Sequence, residues 1–286
     1  MKKLLLASTA LVLSAGIANA QAVSIGGEGR MGIMARNAGV WTWAQENRLQ
    51  FNFSVSVEAD HGLTFGAFSR ARMTNGTTGV FSGSRVWVES NGLRLTFGNT
   101  DGAVRGAGVA FGYLGGCGVG YEGGQQCGDS MGLLGPGVTQ GFASTGGVAA
   151  SRVRVDYSMG STRVAVSHDR GGDTEIGART SFDAWTVAIG YTTFGVNVTT
   201  ASVAYNGGSW SAGAAIANVD GDTNYVLQGS ANVGGGSLYG YVGRVGGDNS
   251  YGLNYGYGLG GGATATLGAE RVGTVTTASL GIAFGF

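Results

Sequence analysis

The sequence predicts an all-β protein: a transmembrane, antiparallel, up-and-down β-barrel of about 16 strands, with a long third loop folded into the lumen. Three observations predict this fold class: alternating apolar and polar residues, turn residues between the alternating segments, and an apolar final strand. The segment 46–59 alternates most clearly, because from Leu49 onward its odd positions are apolar and its even positions are polar. In a membrane barrel, the apolar face of such a sheet contacts lipid and the polar face lines the lumen.

The first twenty residues have the three parts of a secretory signal peptide. A positive start with Lys2 and Lys3 precedes an apolar stretch over 4–17, and small residues end the segment at Ala20. We expect cleavage after Ala20, so that 1–20 is removed and 21–286 forms the barrel. A membrane anchor is the alternative, but the apolar stretch is shorter than the ~20 residues that a helical span needs.

The composition excludes several other classes of protein. Glycine accounts for 58 of 286 residues, whereas there is one proline and 43% of residues are hydrophobic, which fits neither collagen nor a disordered linker. Beyond the leader there is no uncharged apolar run of ~18 residues, so helical membrane spans are excluded. Without Lys2 and Lys3, the only lysines, 15 arginines face 17 acidic residues. This balance does not indicate nucleic-acid binding, which requires a basic excess.

Sixteen segments carry a strand pattern, and an even number is typical of bacterial barrels. Fourteen or eighteen strands are the alternatives, because the pattern is weakest in two adjacent segments, 173–182 and 184–192. The predicted strands are 23–36, 46–59, 62–73, 81–90, 93–99, 150–159, 162–170, 173–182, 184–192, 196–205, 209–218, 223–233, 237–246, 249–259, 263–271 and 275–286.

Two connections are longer than a hairpin turn. The first, 37–45, contains Trp41 and Trp43, and we expect it to be an extracellular loop or a rim aromatic site. The second, 100–149, follows the fifth predicted strand and has no sustained strand or helix pattern. Because structureless loops of this length are uncommon in compact domains unless they are functional, we expect this loop to have a function.

The last predicted strand ends with alternating large apolar and small residues, and its final residue is Phe286. An exposed apolar edge of this kind promotes aggregation in a soluble protein. Pairing with the first strand would remove the edge and close the barrel.

Taken together, the leader, the glycine-rich alternation, the segment Asn99-Thr100-Asp101-Gly102-Ala103 and Phe286 resemble the Gram-negative general porins, particularly those of purple and related alphaproteobacteria. The resemblance implies a homotrimer in the outer membrane whose third loop narrows a water-filled channel for passive diffusion of ions and small hydrophilic solutes. It implies no enzyme activity and no cofactor. It also implies outer-membrane lipid and lipopolysaccharide as surroundings, with Phe286 as the insertion signal for the barrel assembly machinery.

Charged residues in the early strands and in the long loop predict a constriction in which basic side chains of the wall face acidic side chains of the loop. Such charges across a narrow gap create a transverse field that favours polar solutes. The alternative is that the arginines pair with carboxylates such as Glu58 and Glu89 and stabilise the wall. The wall residues are Arg48, Arg70, Arg72, Arg85 and Arg94, and the loop residues are Asp101, Glu122 and Asp129.

Cys117 and Cys127 are the only cysteines, and both lie in the long loop. Because the periplasm is oxidising, we expect the two to form a disulfide that stiffens the loop. Such a bond would stabilise the folded loop by roughly 2–4 kcal/mol relative to its unfolded ensemble. Two free thiols are the alternative.

An outer-membrane barrel enzyme and a plugged structural barrel are the alternative functions. His61 and His168 lie far apart in sequence and have no metal-ligand spacing, so we expect neither a catalytic site nor a metal site. The segment 220–224 resembles half of a calcium loop but lacks the completing glutamate. A small barrel would be plugged, whereas sixteen strands leave a channel.

Overall fold

The structure is a computed structural model that describes residues 21–75, 79, 81–109, 151–193 and 195–286. Sixteen antiparallel strands lie in these ranges and form one closed barrel, because β1 pairs with both β2 and β16. The predicted barrel and strand number are therefore confirmed. The strands are β1 (Gln21–Asn37), β2 (Trp41–Ala59), β3 (Leu63–Thr74), β4 (Arg85–Ser90), β5 (Leu93–Gly98), β6 (Arg152–Met159), β7 (Thr162–Asp169), β8 (Thr174–Phe182), β9 (Trp185–Thr192), β10 (Val198–Asn206), β11 (Trp210–Val219), β12 (Asp222–Val233), β13 (Gly236–Val245), β14 (Asp248–Gly260), β15 (Ala263–Val272) and β16 (Val275–Gly285).

The prediction of a loop over 37–45 is wrong, because β2 begins at Trp41. The alternative, a rim aromatic site, agrees with the exposed positions of Trp41 and Trp43 near one end of the barrel. The first hairpin is closed by residues 38–40 alone, and Trp41 and Trp43 pair with Asn37 and Ala35 of β1. The turn needs few residues because Gly39 has a φ of 107° and donates its N–H to Asn37 Oδ1 at 2.9 Å. Alternation of Trp41 and Trp43 with polar residues is a strand pattern that the sequence interpretation assigned to a loop.

The fourth strand is shorter than predicted, since β4 begins at Arg85 and not at residue 81. Ser82 interrupts the regular pairing. Its N–H donates to Arg70 O at 2.7 Å, and its hydroxyl accepts from Arg70 N–H at 3.0 Å. The remaining strand bounds agree with the prediction to within two residues.

The barrel has an apolar outer surface and a polar interior. On β12, for example, Leu227 faces outward with 55% of its surface exposed, whereas Asn224 and Gln228 face inward and are buried. Exposed leucines and isoleucines recur on the other strands at Ile189, Ile216, Leu253, Leu267 and Leu280. This distribution is the reverse of a soluble protein and is that of a barrel whose outer face contacts lipid.

Exposed aromatic residues form two bands around the barrel. We call the end that contains Gln21 and Phe286 the terminal end and the opposite end, where β5 leaves the barrel, the loop end. Aromatic bands at both ends are typical of membrane barrels, because these rings lie at the lipid headgroups. The terminal-end band contains Phe65, Tyr157, Phe182, Trp185, Trp210, Tyr257, Phe284 and Phe286, and the loop-end band contains Trp41, Trp43, Tyr191, Tyr225 and Tyr251.

The C-terminal residue completes the closure of the barrel. Gly27 N–H donates to Phe286 O at 2.8 Å, and Phe286 N–H donates to Gly27 O at 3.2 Å. The ring lies over Gly27, where a Cβ atom would be 2.6 Å from Phe286 Cζ, and it makes an edge contact with Phe51 at 5.8 Å between centroids. Glycine in β1 therefore provides the space that the terminal ring occupies.

The one α-helix of the described residues, α1, spans Ala103–Ala107. No helix in the described ranges is long and apolar enough to cross a membrane.

Candidate functional site

The described first part of the long connection, up to Val109, lies against the interior face of the barrel wall. Val104 and Val109 are fully buried there and pack with Ala165, Ala188 and Val198 of the wall. Glycines allow this close approach, because a Cβ atom at Gly177 would be 2.7 Å from Ala103 O. The remainder of the connection, 110–150, lies outside the described residues, as do Glu122, Asp129, Cys117 and Cys127.

The start of α1 is held by two side chains of the wall. Ala103 N–H donates to Ser167 Oγ of β7 at 2.9 Å, and Val104 N–H donates to Glu175 Oε2 of β8 at 3.0 Å. These are N–H groups that a helix cannot satisfy by itself at its first turn. The wall thus supplies the cap that the loop sequence lacks, since Gly102 at the N-cap has no side chain to do so.

Further contacts hold the segment on either side of the helix. Arg152 Nη1 donates to Thr100 O at 3.1 Å, and Arg154 Nη1 donates to Asp101 O at 2.9 Å. Ser202 Oγ of β10 donates to Val109 O at 2.8 Å. The segment 100–109 is therefore attached to β6, β7, β8 and β10 in turn, and it follows this part of the wall.

Asp101 is the predicted loop carboxylate that lies in the described residues. Its side chain forms an ion pair with Arg105 of α1, with Oδ1 and Nη1 3.4 Å apart. Asp101 and Arg85 also line one recess of the interior wall. The structure therefore places this carboxylate near one of the predicted wall arginines.

Three of the predicted basic residues lie together on neighbouring strands. Arg70 and Arg72 of β3 lie opposite Asn52 and Gln50 of β2 and donate to them at 3.0 and 2.8 Å. Arg48 is on the same face of β2 and forms an ion pair with Glu46 at 3.0 Å. The cluster is thus partly balanced by carboxylates.

Arg85 and Arg94 lie nearer the terminal end than Arg72. The Arg85 guanidinium lies 4.3 Å from the centroid of the Phe68 ring. Arg94 forms an ion pair with Glu89 of the neighbouring strand, which is the wall-stabilising arrangement expected as the alternative. Glu58, the other carboxylate expected in that arrangement, is exposed.

Several residues near this site were not predicted from the sequence. Arg30 and Glu28 of β1 extend the ion-pair network to Arg48. Arg105 follows Asp101 by four residues, a spacing that would have predicted their pairing on one helix turn. Glu175 has no comparable signal, because its contact with Val104 joins residues 71 positions apart.

The two histidines lie at opposite ends of the barrel. His61 is in the short turn after β2 at the terminal end, and His168 is near the loop end, with Nδ1 3.0 Å from Thr174 Oγ1. Within the described ranges, no three His, Cys, Asp or Glu side chains lie close enough together to hold a metal ion.

Comparisons with known proteins agree with this architecture. The family model described as Gram-negative porin matches residues 7–277. A double mutant of the Rh. blastica porin superposes with a TM-score of 0.80 at 22% sequence identity, over 93% of this chain and 100% of that chain. A triple mutant of the Rhodopseudomonas blastica porin has a TM-score of 0.76 at 22% identity with the same coverage. No curated protein matches the sequence significantly.

At 22% identity, the likeness to the solved structures shows that the fold is shared. The match to the family model, over residues 7–277, shows membership of the family. The combination of a closed sixteen-stranded barrel, an apolar outer face and a charged interior is that of an outer-membrane channel. The chain belongs to the Gram-negative porin family.

Proposed function

We propose that the protein forms a water-filled channel for passive diffusion of ions and small hydrophilic solutes, narrowed by the connection between β5 and β6. The observation that carries this proposal is the attachment of the segment 100–109 to the interior wall. Sixteen strands enclose enough space for water, so a chain segment inside the barrel narrows the passage without having to fill it.

The charges around this segment support a transverse field at the constriction. Asp101 belongs to the loop side, whereas Arg70, Arg72 and Arg85 belong to β3 and β4. Fixed charges of opposite sign in a low-dielectric passage orient dipolar solutes and disfavour apolar ones. We propose that Glu122 and Asp129 add negative charge on the loop side, as the resemblance implies.

The lengths of the strands support association of three copies. A strand that crosses the hydrocarbon core needs ~9–11 residues, whereas β4 and β5 have six residues each. This part of the wall is therefore poorly matched to lipid. Its outer face has an apolar groove of about 460 Å³ whose lining includes Val55, Phe65, Val86 and Phe97. We assign this face to the contact between copies in a homotrimer.

Single-channel recording in planar bilayers tests both the channel and its oligomeric state. We expect conductance to rise in groups of three steps. We expect Val86→Glu to give single steps, because a carboxylate in the apolar groove costs several kcal/mol when it is buried without a partner. Leu227→Glu is the matched control on the opposite, lipid-facing wall and retains groups of three. Absence of stepwise conductance from the folded native barrel would contradict the channel, and single steps from it would contradict the trimer.

Neutralisation of the loop carboxylates tests the transverse field. We expect Asp101→Asn, Glu122→Gln and Asp129→Asn together to raise the permeability ratio of chloride to potassium by at least about twofold, which requires only about 0.4 kcal/mol. Reversal potentials in a KCl gradient measure this ratio. The control carries the same charge change in the exposed turns at the loop end, as Asp220→Asn, Asp222→Asn and Asp248→Asn. Equal ratios in both triple variants would contradict the proposed role of the loop.

Export and assembly follow from the same proposal. We propose that residues 1–20 direct secretion and are removed after Ala20, that the barrel assembly machinery recognises Phe286, and that lipid and lipopolysaccharide surround the trimer. The exposed apolar face and the two aromatic bands support this location. The Cys117–Cys127 disulfide stays a prediction within this proposal.

A further inference from the structure

A recess in the interior wall lies between α1 and the strands β4, β5 and β6. Its volume is about 310 Å³, and its lining includes Arg85, Trp87, Thr96, Thr100, Arg105 and Arg154. The lining residues from the strands share the inward face, since Trp87, Thr96 and Arg154 lie directly opposite one another across β4, β5 and β6. The recess therefore opens toward solutes in the lumen and not toward lipid.

Arginine side chains give this recess an excess of positive charge. Arg94 and Asp101 complete the charged lining, so that four arginines accompany one carboxylate. Two neighbouring carboxylates reduce the excess, because Glu89 pairs with Arg94 and Asp156 pairs with Arg154. Because Asp156 is shared with a second arginine, Arg163, the arginines around the recess outnumber the carboxylates. The excess of positive charge favours a small anion.

Trp87 adds an aromatic surface to the recess. Its indole lies against the backbone of Gly66, where a Cβ atom would be 2.1 Å from Trp87 Cζ2. The Arg94 guanidinium lies 5.3 Å from the ring centroid and further restricts the indole. A half-buried ring that is fixed in this way provides a preformed surface for stacking with a planar ligand.

Two buried hydroxyl groups in the same recess have unused hydrogen-bonding capacity. Thr96 Oγ1 and Thr100 Oγ1 have no hydrogen-bond partner among the described residues, although both side chains are almost fully buried. Buried polar groups are normally paired, with water or a ligand where the protein provides no partner. Both threonines line the recess, so a ligand bound there lies beside hydroxyls that have no partner in the described part of the chain.

We propose that this recess is a binding subsite for small aromatic carboxylates that enter the channel. The aromatic ring stacks on Trp87, and the carboxylate lies near Arg85 and Arg105 and accepts hydrogen bonds from the threonine hydroxyls. This assignment deepens the proposed function and rests on it, because the ligand must reach the recess through the lumen.

Benzoate and cyclohexanecarboxylate test the proposal as a matched pair of probes. They have the same charge and similar size but differ in aromaticity. Each is titrated against the KCl conductance of the full-length protein in planar bilayers, and the concentration that halves the conductance is recorded. We expect benzoate to act at a concentration roughly threefold to tenfold lower, which corresponds to the usual worth of an aromatic pair.

Four variants test whether the effect arises at the recess. Trp87→Leu is expected to make the two probes act at equal concentrations, whereas Trp87→Phe retains an aromatic ring and most of the difference between the probes. Tyr239→Leu removes an inward-facing aromatic residue of β13. It is the control, and we expect it to retain the difference between the probes. Thr96→Val with Thr100→Val is expected to weaken both probes to a similar extent.

The outcomes separate this inference from the function on which it rests. Failure of the folded native protein to conduct KCl would overturn the channel itself. Normal conductance with equal effects of the two probes, or a difference that persists in Trp87→Leu, would overturn the subsite alone. Weaker binding of benzoate but not of cyclohexanecarboxylate in the double threonine variant would overturn the assignment of the hydroxyls to the carboxylate.

Discussion

Phe286→Ala is expected to lower the amount of assembled barrel in the outer membrane of producing cells by tenfold or more. The ring packs on Gly27 and Phe51, and the substitution removes this contact at the seam where β16 meets β1. Loss of an aromatic contact costs only ~0.5–1.5 kcal/mol. A larger loss in cells than in refolding experiments is therefore the sign that Phe286 is recognised during insertion.

Phe284→Ala is the matched control for this experiment. Phe284 lies on the same outer face of the same strand, and its ring covers Gly29 as the ring of Phe286 covers Gly27. Heat-modifiable mobility in gels measures the folded fraction, both in outer-membrane preparations and after refolding in detergent. We expect similar folded fractions for the two variants in detergent and a large deficit of Phe286→Ala in cells. Equal amounts of both variants in the outer membrane would contradict a signal role.

Ser167→Ala combined with Glu175→Ala is expected to release α1 from the barrel wall. The two substitutions leave the N–H groups of Ala103 and Val104 without their acceptors. Each unsatisfied N–H group costs about 1–3 kcal/mol, so the pair weakens the attachment by about 2–6 kcal/mol. The released segment exposes the peptide bond after Arg105 to trypsin, and we expect cleavage there to accelerate by more than tenfold.

Mass spectrometry of the tryptic fragments identifies this cleavage in the folded barrel. Ser167→Ala with Glu175→Gln is expected to restore part of the protection, because the glutamine oxygen can still accept from Val104 N–H. The matched control is Ser211→Ala with Glu270→Ala. It removes the same residue types from the interior face of β11 and β15, where they contact Ser230 and Tyr241 and not α1. Unchanged protection of Arg105 in the first variant would show that the remaining contacts hold the segment without the cap.

The trypsin experiment also connects the loop to conductance. If the segment 100–109 narrows the passage, its release raises the single-channel conductance and weakens ion selectivity together. A change in cleavage without a change in either property would assign the constriction to another part of the chain.

The alternation of apolar and polar residues predicted the strands and their two faces, because side chains in a strand point to opposite faces with a period of two. The turn residues and the apolar final strand were also needed to predict a closed barrel. Leu227 faces outward and Asn224 and Gln228 face inward for this reason alone. The same rule should have placed Trp41 and Trp43 in β2. The sequence interpretation began the second strand at residue 46 and therefore assigned both tryptophans to the connection before it.

The candidate site was predicted only in part, because its members come from distant parts of the sequence. Arg85 and Asp101 were named from the sequence, and the structure places both in the lining of one recess. Arg94 was also named, but its cross-strand partner Glu89 neutralises it. Whether an inward-facing charge is balanced depends on its neighbour across the strand, and thus on strand register.

The sequence by itself predicted the fold class, a barrel of about sixteen strands and the face on which most side chains lie, since these depend on local periodicity and turns, whereas barrel closure decided between fourteen, sixteen and eighteen strands. Only the tertiary structure decided where α1 attaches, which arginines are paired, and that Trp87, Thr96 and Arg154 meet beneath the loop. These features depend on the register of sixteen strands and on barrel closure, which bring together residues that no local pattern relates.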